Sequence, residues 1–331
     1  MTKDQLSGTS KEIKRLTQFL NRRTDTAGGA EKRKPLPRLG ITEGTALADE
    51  EGRRKIGLAL GGGGARGAAH IGVLKVLDEA KMPIDILAGT SMGGIVAAPY
   101  AAGFSARQIA EEAHRLSAPT NLFKLVDWIP TTKGIFQGQA VYDYLAEQLG
   151  ADLTFADLYR KLALTAVDLK TGQEVILDSG PVIDAVRATM AIPGMISPVE
   201  WEGHKLVDGG ILNNVPADLA RSMGADIVIA VDVAVGRLIT DPDSGLNAEQ
   251  AIRSAVLPSF ALDMWRAQAI MMQEIVRYKL QASPPDVLIS PKVPADVTTF
   301  SFNRVSELIE LGETAARKAL PRIMEALEDQ V

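Results

Sequence analysis

A serine held between two glycines, Gly89-Thr90-Ser91-Met92-Gly93, is where this 331-residue chain could do chemistry. The pattern G-x-S-x-G is that of a nucleophile elbow, a strand-to-helix turn sharp enough to push a hydroxyl out of the sheet edge. Glycine on either flank relieves the crowding of such a turn. Upstream, Gly61-Gly62-Gly63-Gly64-Ala65-Arg66-Gly67 contains G-x-G-x-x-G at Gly62, Gly64 and Gly67, and Gly64 stands 27 residues before Ser91. Glycines there let backbone N–H groups come close to an anion, and the start of the next helix adds to the attraction. The anion could be a dinucleotide pyrophosphate or the oxyanion of an ester under attack.

The two chemistries need different partners. A dinucleotide site wants an acidic residue at the tip of the second strand. Here that tip is the serine turn, and the nearest carboxylate, Asp85, stands at the beginning of the strand. A nucleotide-dependent oxidoreductase therefore remains the alternative to ester hydrolysis. A serine nucleophile, for its part, needs a base. The chain has no cysteine, which removes thiol nucleophiles, thiolate metal sites and disulfides, and only three histidines, His70, His114 and His204. The order Ser…Asp…His could draw on Asp178 and His204, but His204 falls in what reads as an exposed turn. His70 lies one turn into a helix, where a packed core histidine is the simpler reading, and His114 is near the end of a surface helix. Asp208 is better placed. It ends a short strand, is followed by Gly209 and Gly210, and precedes a helix, which puts a carboxylate at the sheet's carboxyl edge. Taken alone, Asp-Gly would read as an ordinary turn.

The elements that must position these groups can be read from hydrophobic periodicity. Ile56–Leu60 and Ile84–Ala88 are strand-like runs flanking a helix over Ala68–Ala80, with Ile71, Leu74 and Leu77 inward. A right-handed crossover makes the two strands parallel, so both glycine turns open at one edge. Pro99 predicts a kink or early break in the helix after Ser91, closed by Gly103. Ser105 and Gln108 have capping-box spacing. Residues 118–139, with Pro119, Trp128, Pro130 and Phe136, read as a loop over the site mouth. Leu162–Val167 and Glu174–Leu177 flank Lys170-Thr171-Gly172 as a hairpin would. Ile227–Val233 has the unbroken apolar character of a buried parallel strand. Ser259–Gln281 reads as a long helix whose Met264, Met271 and Met272 fill core space. Val287–Ile289 is a last strand, and Asn303–Leu327 one or two amphipathic helices.

Composition bounds the rest. With 46% hydrophobic and 23% charged residues the chain is of ordinary globular type. No apolar run approaches the roughly 18 residues of a spanning helix, and the start lacks a secretory core, so a cytoplasmic location is expected. The net charge of −5 is uneven: residues 1–38 hold ten Lys/Arg against four acidic residues, and the remainder carries −11. Residues 1–54 read as a basic N-terminal extension, partly helical over Ser10–Arg23. It is either an arm packing one helix on the body or a peripheral contact with an anionic membrane. A basic arm on an acidic body is not a nucleic-acid footprint.

Together, Gly62-Gly63-Gly64-Ala65-Arg66-Gly67, Gly89-Thr90-Ser91-Met92-Gly93 and Asp208-Gly209-Gly210 resemble the patatin-like phospholipase family, in its bacterial cytoplasmic branch similar to neuropathy-target-esterase-related esterases. Ala191-Ile192-Pro193-Gly194 and Asn213-Asn214-Val215-Pro216 support it, and the similarity spans roughly Lys55 to Leu320. The resemblance implies a three-layer α/β/α fold with a mainly parallel central sheet, and a catalytic domain over residues 55–325. It implies a lipid acyl hydrolase with a Ser91–Asp208 dyad and no histidine, cofactor or metal. Amides of the stretch Gly62, Gly63, Gly64, Ala65 and Arg66 would form the oxyanion hole, with Arg66 adding charge or bracing the loop. A proton-accepting aspartate is then expected to have its pKa raised by burial. A patatin fold that has lost catalysis and serves as a scaffold is the reading from another class.

Overall fold

Strand β1 (Ile56–Leu60) is buried at every position, as a strand covered on both faces must be. It runs parallel to β2 (Ile84–Gly89) on one side and β9 (Ile227–Val231) on the other, in register from Leu60 to Gly89 and Val231. The computed structural model describes residues 53–122, 128–131, 134–234, 259–294 and 296–328, which all fall within one compact unit. The expected helix over Ser10–Arg23 and the polar linker Thr240–Asn247 lie outside the described residues.

Eight strands form the main sheet, in the order β10-β9-β1-β2-β5-β8-β7, with β6 paired to β5. Five are parallel: β10 (Val287–Ile289), β9, β1, β2 and β5 (Lys161–Asp168). The other three, β6 (Gln173–Leu177), β7 (Val199–Trp201) and β8 (His204–Asp208), extend the sheet antiparallel from β5. The fold is therefore α/β with a mainly parallel sheet.

Helices close both faces. Helix α1 (Ala68–Glu79) follows β1 and α2 (Met92–Ala101) follows β2. The C-terminal α10 (Val305–Glu328) lies so close to α1 that a Cβ on Gly72 would sit 1.9 Å from the Ile309 carbonyl, and one on Gly312 1.9 Å from that of Ala69. Only glycine permits this backbone approach. On the opposite face, Ala59, Ile86, Ala88, Val228 and Ala230 pack with Leu219 and Ala220 of α8 (Ala217–Ser222) and with Val276 and Leu280 of α9 (Ser259–Ala282). Small residues on this face let the helices settle onto the sheet. The remaining helices are α3 (Ala106–Ser117), α4 (Pro119–Leu122), α5 (Gln139–Leu149), α6 (Val182–Thr189) and α7 (Gly210–Asn213).

Several expectations change in detail. Helix α2 runs through Pro99 and stops at Ala101, with Gly103 at φ +95° closing it. The capping box at Ser105 and Gln108 is present in both halves. Residues 118–139 contain α4 and an antiparallel pair, β3 (Trp128–Thr131) and β4 (Gly134–Phe136), where a loop was expected. The methionines of α9 divide: Met264 and Met271 are 67% and 59% exposed, whereas the Met272 methyl reaches Gly210. The period of that helix is right, but the assignment of all three methionines to the core is not. Among the described residues no helix is long and apolar enough to cross a membrane.

Candidate active site

Ser91 sits at the turn between β2 and α2 with φ +54° and ψ −123°, a conformation that non-glycine residues rarely adopt. The flanking glycines are required by contact. A Cβ on Gly93 would lie 2.0 Å from the Leu60 carbonyl oxygen, and one on Gly89 2.8 Å from Gly94 Cα. The turn is tied down on three sides. Ser91 N–H donates to Thr189 Oγ1 (2.9 Å), Thr90 N–H donates to Leu60 O (3.1 Å), and the Thr90 hydroxyl reaches Thr165 Oγ1 (2.7 Å) and Asn213 O (2.8 Å). Strain of this kind persists only where surrounding bonds over-determine it.

Asp208 arrives from the opposite direction. It ends β8, which runs antiparallel to β5 with Asp208 opposite Ala166. The sequence reading has it at the sheet's carboxyl edge, with the direction of its strand left open. The structure brings it to that edge on a strand antiparallel to β5, entering from beyond the end of β2. Gly209 then lies against Thr165, where a Cβ would be 2.1 Å from Oγ1, and Gly210 N–H donates to Asp208 Oδ1 (2.8 Å). Asp208 N–H donates to Ala191 O (2.9 Å), so the segment Thr189–Ala191 holds both the serine turn and the aspartate turn.

The two side chains come together at this edge, near enough that the Ser91 hydroxyl acts on the Asp208 carboxyl and lowers its pKa. Both are nearly sealed from solvent, Ser91 at 7% and Asp208 at 6% exposure. Burial pushes the Asp208 carboxyl up to about 6, against the opposing pull of the Ser91 hydroxyl and the Gly210 N–H. An aspartate so placed is a stronger base than a free one, yet is largely ionised at neutral pH.

The glycine loop faces this pair. A Cβ on Gly62 would lie 3.1 Å from Ser91 Cβ and 2.5 Å from Asn214 Oδ1. Of the five residues read as oxyanion donors, two have amides already engaged: Gly62 N–H donates to Asn214 O (3.0 Å) and Ala65 N–H to Thr299 O (2.9 Å). Among the described residues the N–H groups of Gly63 and Gly64 have no acceptor. The Arg66 side chain donates to Val297 O (3.3 Å), which is the bracing role. Gly67 carries α1 across Met92, where a Cβ would lie 2.2 Å from Met92 Cγ. This glycine serves the packing of the two turns on each other. Asp85 pairs with Arg53 and accepts Ile56 N–H (2.8 Å) at the far end of the sheet, away from the glycine loop.

The histidines are elsewhere or otherwise occupied. His204 is 45% exposed and bonds Asp168 through Nδ1 (3.1 Å). It starts the strand that Asp208 ends, a span of about 13 Å at the usual rise per residue. Asp178 is exposed. His114 reaches Ser306 at the surface (3.1 Å). His70 is fully buried, with Nε2 2.7 Å from Gly61 O. The sequence reading treats it as core filling, whereas it touches the glycine loop. Thr189, Thr165 and Asn214 are also missed as site residues. Their only signal is that Thr189 stands just before Ala191-Ile192-Pro193-Gly194 and Asn214 within Asn213-Asn214-Val215-Pro216.

A family model described as "Patatin-like phospholipase" matches residues 58–221, which contain the glycine loop, the serine turn and the aspartate turn. The mouse (Mus musculus) "Patatin-like phospholipase domain-containing protein 6" is 38% identical over 182 residues, 54% of this chain and 13% of that protein. An "Uncharacterized NTE family protein" of Mycobacterium tuberculosis is 31% identical over 296 residues, 83% of this chain and 48% of that protein. The chain thus spans about half the length of the mycobacterial relative and a small part of the mouse one. Among solved structures, VipD from Legionella pneumophila aligns with a TM-score of 0.45 and 14% identity, over 81% of this chain and 67% of that one.

Proposed function

We propose that this chain, which carries a domain of the patatin-like phospholipase family, is a serine acyl hydrolase that cleaves carboxylic esters of lipids. The observation that carries the reading is the convergence of Ser91, in its strained turn, and a buried Asp208 whose basicity is raised by burial. The three histidines have other hydrogen-bond partners: His204 bonds Asp168, His114 bonds Ser306 and His70 bonds the Gly61 carbonyl.

On this reading the steps run as follows. Ser91 Oγ attacks the ester carbonyl carbon as its proton passes to Asp208. The carbonyl oxygen becomes an oxyanion and takes the N–H groups of Gly63 and Gly64, each such donor worth about 3–4 kcal/mol of barrier. Collapse breaks the bond to the alcohol, which leaves with the proton from Asp208, and an acyl group stays on Ser91. Water then attacks the acyl carbon, giving its proton to Asp208. The second collapse releases the acid and returns the proton to Ser91. One carboxylate thus serves as base and acid in turn, which suits a pKa near the working pH.

A panel of phospholipids, lysophospholipids and p-nitrophenyl esters, assayed with wild type and Ser91→Ala, tests the reading. Turnover of at least one acyl ester by wild type, abolished in the variant, is expected. Labelling of Ser91 by a fluorophosphonate should run in parallel. A wild-type protein that neither hydrolyses any ester nor reacts with the phosphonate would be the idle scaffold. Tight NAD(P) binding without labelling would return the site to the nucleotide reading.

A further inference from the structure

The glycine loop is held by two buried side chains that take no part in the chemistry above. His70 Nε2 lies 2.7 Å from Gly61 O. A carbonyl oxygen only accepts, so Nε2 carries the proton and donates. The other ring nitrogen, Nδ1, is buried with no partner, and burial lowers the imidazole pKa to about 4, which keeps the ring neutral. Asn214 lies across the loop at 4% exposure, accepting Gly62 N–H on its backbone carbonyl (3.0 Å) and donating its side-chain Nδ2 to Gly62 O (3.2 Å).

These contacts fall on consecutive peptide planes. In a trans peptide the C=O of one residue and the N–H of the next point in opposite directions. The 61–62 plane is therefore gripped from both sides, its oxygen by His70 and its N–H by Asn214. The 62–63 plane is gripped by its oxygen alone, through the Asn214 amide. Its remaining group is the Gly63 N–H, which has no acceptor among the described residues and points away from Asn214. Glycines at 61, 62 and 63 give this backbone wide freedom, so the direction of that N–H depends on what holds the two oxygens.

We infer that His70 and Asn214 are positioning residues for acyl transfer, a two-point clamp on the Gly61–Gly63 backbone that aims the Gly63 N–H at the oxyanion. Neither touches the substrate. The inference rests on the hydrolase reading, and it adds that the glycine loop is not self-sufficient. A clamp of this kind acts on the transition state, where the oxygen carries charge, and little on substrate binding.

The test uses the full-length protein and three variants. His70→Leu keeps the bulk and removes the donor; His70→Gln places an amide nitrogen near the Nε2 position. Asn214→Asp is isosteric and replaces the Nδ2 donor with an oxygen facing Gly62 O. His70→Leu and Asn214→Asp should each lower kcat by about 10- to 100-fold with KM within about two-fold, the scale of a misplaced catalytic contact. The rate of fluorophosphonate labelling should drop in step, because the phosphonyl oxygen needs the same donors. His70→Gln should recover most of the loss at a comparable melting temperature. If His70→Leu fails to fold, Asn214→Asp carries the test alone. An active wild type whose folded His70→Leu and Asn214→Asp proteins keep its kcat overturns the clamp and leaves the hydrolase reading standing. So does a folded His70→Gln protein as slow as His70→Leu, or a loss that falls on KM alone. A wild type with no esterase activity removes the reaction and the clamp with it.

Discussion

Two buried aspartates stand on the same β5–β8 ladder, and their surroundings are opposite. Asp168 pairs with Leu206 and Asp208 with Ala166, two positions further on. Asp168 accepts from Lys170 N–H (3.0 Å), Lys205 N–H (3.0 Å), the Thr171 hydroxyl (3.0 Å) and His204 Nδ1 (3.1 Å). The His204 bond first, and then the Lys170 amide, hold its carboxyl well below the usual carboxylate range. Asp208 accepts Gly210 N–H (2.8 Å) and is pulled down a little by the nearby Ser91 hydroxyl, and burial outweighs both. One carboxylate is saturated and locks a hairpin. The other is left under-solvated and next to a hydroxyl, where it gains from taking a proton. Residue type and low solvent exposure are shared, so the number of donors, together with how deep the carboxylate lies, separates a structural group from a base.

The sharpest break of this comparison is by substitution at its reactive end. Ser91→Ala and Asp208→Asn should each cut ester turnover by at least about 10³-fold, the scale seen when one member of a catalytic unit is removed. Asp168→Asn should leave kcat/KM within a few-fold. If Asp168→Asn were as inactive as Asp208→Asn, the division between the two ends of the ladder would not hold.

Stability should move the other way. The folded-state pKa of Asp208 is raised from 3.8 to about 6. Between those values the folded protein keeps a proton that the unfolded chain has released, so stability falls as pH rises through that window. At pH 7–8 the ionised form is a burden of up to about 3 kcal/mol, which Asp208→Asn relieves. That variant should therefore melt higher than wild type while being inactive. Asp168 has a lowered pKa, so its contribution is present above the unfolded value and lost as pH falls toward the folded one. Asp168→Asn, which loses charge-assisted acceptors, should melt roughly 5 °C lower at neutral pH. Thermal melts at pH 7.5 decide both signs.

A smaller effect is the acid limb of kcat/KM. If Asp208 is the base, activity should rise about ten-fold per pH unit below about 6 and level off above it. A limb at the free-aspartate value of 3.9 would mean that solvent reaches the pair in the working enzyme.

How much of this was legible follows the direction of the strands. In the parallel half, β1 and β2 are short apolar runs that stop on glycines. Periodicity and the right-handed crossover rule place both turns at one edge, so Ser91 and the glycine loop can be read off together. In the antiparallel half nothing local fixes pairing. Leu206 and Val207 could extend either kind of sheet, and the position of Asp208 depends on β5 running on to Asp168 past the end of β2. The resemblance supplied what periodicity could not. Polar contacts across the fold were the least legible. That Gly62 and Ala65 have their amides engaged depends on Asn214 and Thr299, which lie 152 and 234 residues further along. The exposure of Met264 and Met271 was misread because a helical stripe of methionine says nothing about what lies opposite it.

The mildest change should come from His204, and it settles a real alternative. The order Ser91, Asp178, His204 matches a hydrolase triad, and His204 does bond a carboxylate. But that carboxylate is Asp168, and the ring is 45% exposed at the start of β8, four residues before Asp208. A triad histidine must reach the serine hydroxyl within about 3 Å; a strand of this length keeps His204 about 13 Å from Asp208, beside which that hydroxyl lies. His204→Ala should therefore leave kcat/KM within about two-fold. It should also lower the melting temperature slightly, because Asp168 keeps its other three donors. A large loss of turnover in a folded His204→Ala protein would move the base from Asp208 to the histidine, and the two ends of the ladder would exchange roles.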